Sequence, residues 1–232
     1  MKAGGLKLRA ELELDRLALD PYCKLYLPLW KLDGYSFADH SAYGHLCTRY
    51  GTGTSPAAHW TPQGWSFDGV DDYVDCGNVA SLDILDGFTI EFWTKYSTGY
   101  GGIVDRRAGS GEGYFLLFDN AGKIQYCLND GDTHQAYEVR GSGYNNRQWH
   151  HGVFTVSLSS ALARLFIDSL QVGADIDISV ITGTITPNKD LLLGQVTLYY
   201  TNGLIALVLI YSRALTPQEI LDHYIIGKEM FG

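Results

Sequence analysis

Several features that would assign this chain to a particular class of protein are scarce or missing. Its 232 residues include 2 Met and 6 Pro, and its formal net charge is −9. An acidic balance disfavours nonspecific binding to nucleic acid, because phosphates attract basic surfaces. No apolar run is long enough for a transmembrane helix, and none follows the first residues as a signal peptide requires. We therefore expect no nucleic-acid partner and no membrane insertion. The chain would act in the cytoplasm, or leave the cell by a non-classical route such as inside a virus particle.

The four cysteines, Cys23, Cys47, Cys76 and Cys127, do not form a metal-binding pattern. None belongs to a CxxC motif or to a Cys/His pair at the spacing of a zinc site. Their number allows two disulfides, in three possible pairings. Cysteine also packs well as a small apolar residue, so the favoured interpretation is four buried or half-buried free thiols.

The chain is instead rich in residues of short strands and turns, with 16 Tyr, 5 Trp and 27 Gly. Residues 88–95 contain the clearest strand pattern. Large apolar side chains occur on both of its faces, with Phe92 on one and Trp93 on the other. This pattern predicts a central strand that is covered on both sides.

Eight segments together resemble a known family. They are residues 67–69, 72–74, 88–93, 149–151, 165–168, 191–194, 210–215 and 217–220. In order and spacing they resemble the laminin-G-like (LamG) jelly-roll domains of the concanavalin A-like lectin and glucanase superfamily. The resemblance implies an all-β, two-sheet antiparallel jelly-roll sandwich with a short C-terminal helix. It also implies a domain of residues 21–232, preceded by an N-terminal arm of residues 1–20.

This fold carries lectins, hydrolases and structural modules, so the resemblance by itself says little about function. We interpret the protein as a non-catalytic, lectin-like binding module whose partner is a glycan or a cell-surface polysaccharide. Sugars are bound by aromatic faces together with convergent polar groups. Candidate residues of this kind in predicted rim loops are Tyr100, Tyr144, Asn145, Asn146, Tyr199 and Tyr200.

No nucleophile elbow, P-loop, dinucleotide fingerprint or HExxH motif is present. A glycoside hydrolase needs two carboxylates that face each other across a cleft. The predicted central strand has one carboxylate, Glu91, and the same face continues with Trp93 and Lys95. We predict no enzymatic activity and no catalytic residue, and glycoside hydrolysis is the least favoured alternative.

The resemblance also raises the question of calcium. An acidic residue in the early loop of many relatives helps to hold this ion, and Asp39 is the matching candidate. The alternative is that Asp39 caps its own backbone in a turn. Relatives commonly have an acidic pair where this chain has Ala206 and Leu207. We therefore expect weak or absent calcium binding, and no other cofactor.

The N-terminal arm suggests a second function. Leu6, Leu8, Leu12 and Leu14 alternate with charged residues, which fits an edge strand, although the later leucines also fit a helix. A strand with exposed leucines needs a partner to cover it. The alternative function is therefore a structural protein, such as a virion decoration or fibre component. It would form a homo-oligomer, or bind other virion proteins, through this arm.

Two further elements are predicted near the end of the chain. Residues 176–185 are rich in Thr, Ile and Val and predict a strand. Thr216, Pro217 and Glu219 form a capping box with proline at the first helical position, which predicts a helix. We expect that helix to end at Gly227, because glycine commonly terminates helices.

Overall fold

The computed structural model describes residues 2–51, 59–83, 86–108, 111–131 and 135–232, with the backbone alone at residues 2–6 and 33. The helices are α1 Lys2–Leu17 and α2 Pro217–Phe231, and a 3₁₀ turn covers Ala80–Leu82. The strands are β1 Cys23–Pro28, β2 Leu32–Asp33, β3 Ser36–Ala38, β4 Leu46–Tyr50, β5 Trp60–Thr61, β6 Gly64–Asp68, β7 Tyr73–Asp75, β8 Gly87–Tyr96, β9 Gly101–Arg107, β10 Gly113–Phe118, β11 Ile124–Asn129, β12 Gln135–Arg140, β13 His150–Ser157, β14 Leu162–Ile167, β15 Leu170–Gln171, β16 Ile176–Asp177, β17 Leu192–Leu193, β18 Gln195–Val196, β19 Tyr199–Tyr200 and β20 Asn202–Tyr211.

Two antiparallel sheets form a sandwich, as predicted. Sheet A has the order β15-β14-β13-β8-β20-β6-β5, with β1 also paired to β20 and β16 to β14. Sheet B has the order β12-β11-β10-β9-β17-β7-β4-β3-β2. Strands β18 and β19 form a separate hairpin, which lies against β9. The consecutive hairpins of β9, β10, β11 and β12 and the long crossover connections are those of a jelly roll.

Strand β8 lies in the middle of sheet A, between β13 and β20. Phe88, Ile90 and Phe92 point into the core between the sheets, and each is fully buried. Trp93 points the other way, into a second apolar cluster beneath the helices. The prediction of a central strand covered on both faces is therefore confirmed.

The N-terminal arm is a helix, so its prediction as an edge strand is wrong. Ala10 and Leu14 are four residues apart and both buried, which places them on one helical face, and Ala18, just after the helix, is buried as well. Helix α1 packs against α2, and Leu14 lies in the apolar cluster that covers sheet A. Leu8 and Leu12 are 60% and 58% exposed. The side chain of Leu6 lies outside the described residues, and the division into residues 1–20 and 21–232 stays a prediction.

Helix α2 begins as predicted but does not end at Gly227. The hydroxyl of Thr216 accepts a hydrogen bond from the N–H of Glu219, and the capping box is complete. The helix continues to Phe231 because Gly227 is buried directly against the Trp93 ring, where a Cβ atom would overlap it. This glycine allows the helix to approach the sheet closely, and it does not terminate the helix. No helix in the described part of the chain is long and apolar enough to cross a membrane.

The predicted strand at residues 176–185 is reduced to the two residues of β16. The backbone N–H groups of Thr182 and Gly183 donate to Oδ2 of Asp130, at 3.0 and 2.9 Å. Ile178 and Ile185 are buried in the core. The apolar residues of this segment therefore fill the core from a loop. The Asp130 side chain replaces the strand partner that would otherwise accept its backbone N–H groups.

The prediction of four free thiols is wrong for one pair. Cys47 on β4 and Cys76 just after β7 form a disulfide, with their Cα atoms 4.1 Å apart. Strands β4 and β7 are antiparallel neighbours, which brings these two cysteines together inside the core. Cys23 and Cys127 are free and buried, as expected.

Candidate functional site

Three rim segments, which we call the rim loops, meet at one end of the sandwich, at residues 97–100, 141–147 and 197–202, the last of which includes β19 and the first residue of β20. The N–H of Arg147 donates to the carbonyl oxygen of Tyr96 at 3.1 Å. The N–H of Ser97 donates to the carbonyl oxygen of Asn202 at 3.1 Å. These contacts bring together loops that are distant in the chain. All six candidate ligand residues from the sequence lie in them.

Two of the six candidates form a joint exposed surface. The rings of Tyr100 and Tyr199 stack with their centroids 4.7 Å apart. Tyr100 is 37% exposed and Tyr199 is 44% exposed, so both can contact a ligand. The hydroxyl of the neighbouring Tyr200 accepts a hydrogen bond from Gln195 Nε2 at 3.1 Å, and its ring is half-buried.

The other three candidates hold their loop in place. Half-buried Tyr144 lies edge-on to the His150 ring, at 5.3 Å between centroids. Asn145 Nδ2 donates to the carbonyl oxygen of Asn120 at 3.1 Å. Asn146 Oδ1 accepts the N–H of Gln148 at 2.8 Å. The two asparagine contacts each engage one polar atom that a ligand would otherwise use.

Sequence reasoning missed tyrosines on the strands of sheet B. Tyr137 on β12 is 48% exposed. Burial and the neighbouring Tyr100 raise the pKa of Tyr137, which indicates that the two side chains are close. Tyr50 and Tyr73, on the paired strands β4 and β7, stack at 4.9 Å. We call Tyr50, Tyr73, Tyr100, Tyr137 and Tyr199 the tyrosine strip.

A polar cavity of about 490 Å³ lies on sheet B beside the β18–β19 hairpin. Nε and one terminal nitrogen of Arg107 donate to the two carboxylate oxygens of Asp105, at 2.8 and 2.7 Å. Arg107 also donates to the Thr197 hydroxyl at 3.0 Å, and its guanidinium lies 4.1 Å from the centre of the Phe115 ring. Gln195 completes this side of the lining. A concave site with a few fixed polar groups is the usual form of a small-ligand site.

The carboxylate of Asp39, the predicted calcium ligand, is surrounded by hydrogen-bond donors. Its Oδ1 accepts the N–H groups of Tyr26 and Ser41, each at 2.8 Å. Its Oδ2 accepts the Ser41 hydroxyl at 2.7 Å and lies 2.6 Å from His45 Nδ1. This geometry is that of a structural turn, although calcium binding through Asp39 stays a prediction. Ala206 and Leu207, which replace the acidic pair, are fully buried.

Glu91, the carboxylate on the central strand, is buried beneath helix α2 and is 1% exposed. Its Oε1 lies 2.8 Å from Nε2 of His151, and its Oε2 lies 2.8 Å from Nδ1 of His223. Burial opposes its ionisation, but the His223 charge and the two hydrogen bonds hold the pKa of Glu91 well below its usual range. Burial lowers the pKa of His223, but the neighbouring Glu91 raises it by a larger amount, so the net shift of this pKa is upward. Glu91 therefore has a structural environment and cannot reach a sugar at the surface.

A family model described as the concanavalin A-like lectin/glucanases superfamily, in its laminin G-like branch, matches residues 68–221, which is more than half of the chain. The chain belongs to this superfamily. The predicted family and jelly-roll fold are thereby confirmed. No curated protein sequence matches the chain.

This superfamily member is also similar to solved binding domains of toxins. One is the receptor binding domain of botulinum neurotoxin C/D mosaic serotype, at 15% identity and a TM-score of 0.69, over 88% of this chain and 51% of that one. A second is the binding domain of botulinum neurotoxin DC in complex with SialylT, at 13% and 0.67, over 90% and 52%. A third is the binding domain of Paraclostridial Mosquitocidal Protein 1, at 13% and 0.70, over 91% and 52%. The chain spans about half the length of these domains, and at such identities the likeness establishes the fold.

Proposed function

We propose that the protein is a non-catalytic carbohydrate-binding module that holds a glycan against the tyrosine strip of sheet B. The observation that carries this proposal is the exposed stacked pair Tyr100 and Tyr199. Their rings offer apolar faces to a sugar, and their hydroxyls can make hydrogen bonds to it. Tyr137 on β12 and the stacked pair Tyr50 and Tyr73 on β4 and β7 offer further aromatic faces on sheet B.

The polar cavity gives the site directional contacts. Asp105 and Arg107 fix each other's orientation, so their remaining hydrogen-bonding capacity is presented at low entropic cost. Gln195 Nε2 already donates to the Thr197 carbonyl and to the Tyr200 hydroxyl, so Gln195 Oε1 remains as an acceptor for a sugar hydroxyl. The Thr197 hydroxyl accepts from Arg107 and can donate its own proton to a sugar. The solved domain with SialylT supports a glycan as the ligand class, because it shares this fold. The burial of Glu91, which is 1% exposed, supports a binding role without catalysis.

The test is a glycan array followed by calorimetry with the glycans that bind. Replacing Tyr100 and Tyr199 together by Ala should weaken binding roughly tenfold, because each aromatic contact contributes about 0.5–1.5 kcal/mol. Tyr22→Ala is the matched control, because Tyr22 is 51% exposed and directly precedes β1, which belongs to sheet A. An array without any binding glycan, or equal affinities for the double variant and the wild type, would refute the proposal.

A structural assembly role is the second candidate, and exposed leucines on α1 favour it. Leu8 and Leu12 lie four residues apart on the helix and are both more than half exposed. Leu14 is buried, so its replacement by Asp would disrupt the fold rather than an interface. Changing Leu8 and Leu12 to Asp should convert an oligomer to a monomer in light scattering. A wild-type chain that is already monomeric at high micromolar concentration would exclude this role.

A further inference from the structure

A smaller cavity, of about 230 Å³, lies at the rim of sheet A, where β6, β8 and β20 reach the rim loops. We call it the rim cavity. Its polar lining is contributed by Ser66, Lys95, Ser97, Arg147 and Asn202. Ser97, Arg147 and Asn202 come one from each of the three rim loops. The rim loops therefore contain the six residues proposed from the sequence, but they line this cavity with three other residues.

Two cations face this cavity without a carboxylate partner. Most arginines of this acidic chain are paired, such as Arg164 with Asp175 at 2.7 Å and Arg213 with Asp20 at 2.6 Å. Lys95, which is half-buried, and Arg147 form no ion pair or side-chain hydrogen bond within the described residues. Lys95 is half-buried and Arg147 is exposed, and two unpaired cations around one cavity favour an anion from outside the chain.

Asn202 adds neutral hydrogen-bond donors to the rim cavity. Asn202 Oδ1 accepts the Ser97 hydroxyl at 2.9 Å, which leaves both N–H bonds of the Asn202 amide for a ligand. Asp68 follows Ser66 by two residues on β6, but its Oδ1 accepts the N–H of Val70 at 2.8 Å and it does not line the cavity. A ligand that fits this set must supply acceptors and negative charge.

Arg147 is held in a conformation that is unusual for a residue with a side chain. Its φ is +62°, in the left-handed region that favours glycine. Its N–H donates to the carbonyl oxygen of Tyr96, which fixes this backbone against the end of β8. Strained backbone of this kind often marks a binding site, because the rest of the structure must stabilise it.

We propose that the rim cavity binds the negatively charged group of an acidic sugar, a carboxylate or a sulfate. The guanidinium of Arg147 can pair with two oxygens of such a group at once, and Lys95 adds a point charge. The amide of Asn202 supplies neutral donors to the same oxygens. The oxyanion site follows from these donors alone, and the choice of a sugar as its carrier rests on the proposed function.

The experiment is an NMR titration of the ¹⁵N-labelled full chain that follows the amide signals of Ser97, Arg147 and Asn202. The probes are the methyl glycoside of N-acetylneuraminic acid, methyl galactoside 3-sulfate, neutral methyl galactoside and inorganic sulfate. We expect both acidic sugars to shift these signals and the neutral sugar to leave them in place. Lys95→Met and Arg147→Met should each weaken the acidic sugars at least tenfold. Lys7→Met, which removes an exposed cation on α1, should not.

Four outcomes would overturn the proposal. The first is that both cavity variants bind the acidic sugars as tightly as the wild type while their melting temperatures are unchanged. The second is that neutral and acidic sugars bind equally, and the third is that inorganic sulfate binds as tightly as the acidic sugars. The fourth is that no probe shifts the three amide signals. The melting temperature identifies a variant that fails to fold. Loss of acidic-sugar binding only in the Tyr100 and Tyr199 variant would place the anion on sheet B and also refute the rim cavity. Neutral glycans that still bind to the tyrosine strip would leave the proposed function intact.

Discussion

Replacing Glu91 by Gln tests the buried polar cluster beneath helix α2. The substitution keeps the shape of the side chain but removes the charge that faces His151 and His223. Removing one partner of a buried ion pair costs about 3–5 kcal/mol, because the other charge is left buried and uncompensated. Glutamine retains a hydrogen bond, so we expect a loss of about 3 kcal/mol, which is a large part of the 5–15 kcal/mol typical of a folded domain.

The assay is urea unfolding followed by tryptophan fluorescence at several pH values. The pKa of Glu91 is lowered on folding, so its contribution is complete above its ordinary pKa of 4.5 and is lost as the pH falls below that value. The pKa of His223 is raised on folding, so its contribution is complete below its ordinary pKa of 6.5 and is lost as the pH rises through the higher folded value. The wild type should therefore gain most from this pair between pH 4.5 and 6.5.

The Glu91→Gln variant should lose most of this pH dependence, because the neutral side chain no longer raises the pKa of His223. Glu229→Gln is the matched control, since Glu229 is exposed on the same helix and should change stability by less than about 0.5 kcal/mol. If Glu91→Gln unfolds at the same urea concentration as the wild type, with the same pH profile, then the cluster does not stabilise the fold and our reasoning is refuted.

Three further predictions concern stability. Gly227→Ala should destabilise the protein by about 1–3 kcal/mol in thermal unfolding, because the new Cβ overlaps the Trp93 ring, and an unchanged melting temperature would contradict this packing. Replacing Cys47 and Cys76 together by Ala should cost about 3.6 kcal/mol from the loop entropy of 29 residues, plus a smaller packing loss, and equal stability in the presence and absence of reductant would argue against the bond. Calcium should leave the melting temperature of the wild type unchanged. Asp39→Ala should lower the melting temperature by several degrees without calcium, because it removes the hydrogen bonds that this carboxylate accepts from Tyr26 and Ser41. If calcium raises the melting temperature of the wild type and Asp39→Ala abolishes that rise, Asp39 is instead a metal ligand.

The sequence alone determined those features that depend on local patterns. The alternation at residues 88–93 placed Phe92 in the core and Trp93 on the opposite face, because side chains of a strand alternate by geometry. Thr216 and Glu219 located the start of α2, because a capping box satisfies the first N–H groups from residues close in sequence. The rim loops could be found as well, because turn residues punctuate a chain of short strands.

Only the tertiary structure decided which distant groups meet. Gly227 looked like the end of a helix, and its actual role depends on Trp93, more than a hundred residues earlier. Cys47 and Cys76 pair because β4 and β7 are neighbours in sheet B, which no spacing in the sequence reveals. Arg147 and Lys95 become a candidate anion site only when the fold places them around one cavity without acidic partners among the described residues. Local patterns determine which face of a strand or helix a side chain occupies, whereas long-range packing determines which residues it contacts. The candidate sites of this protein are formed by residues that are distant in sequence, so only the tertiary structure reveals them.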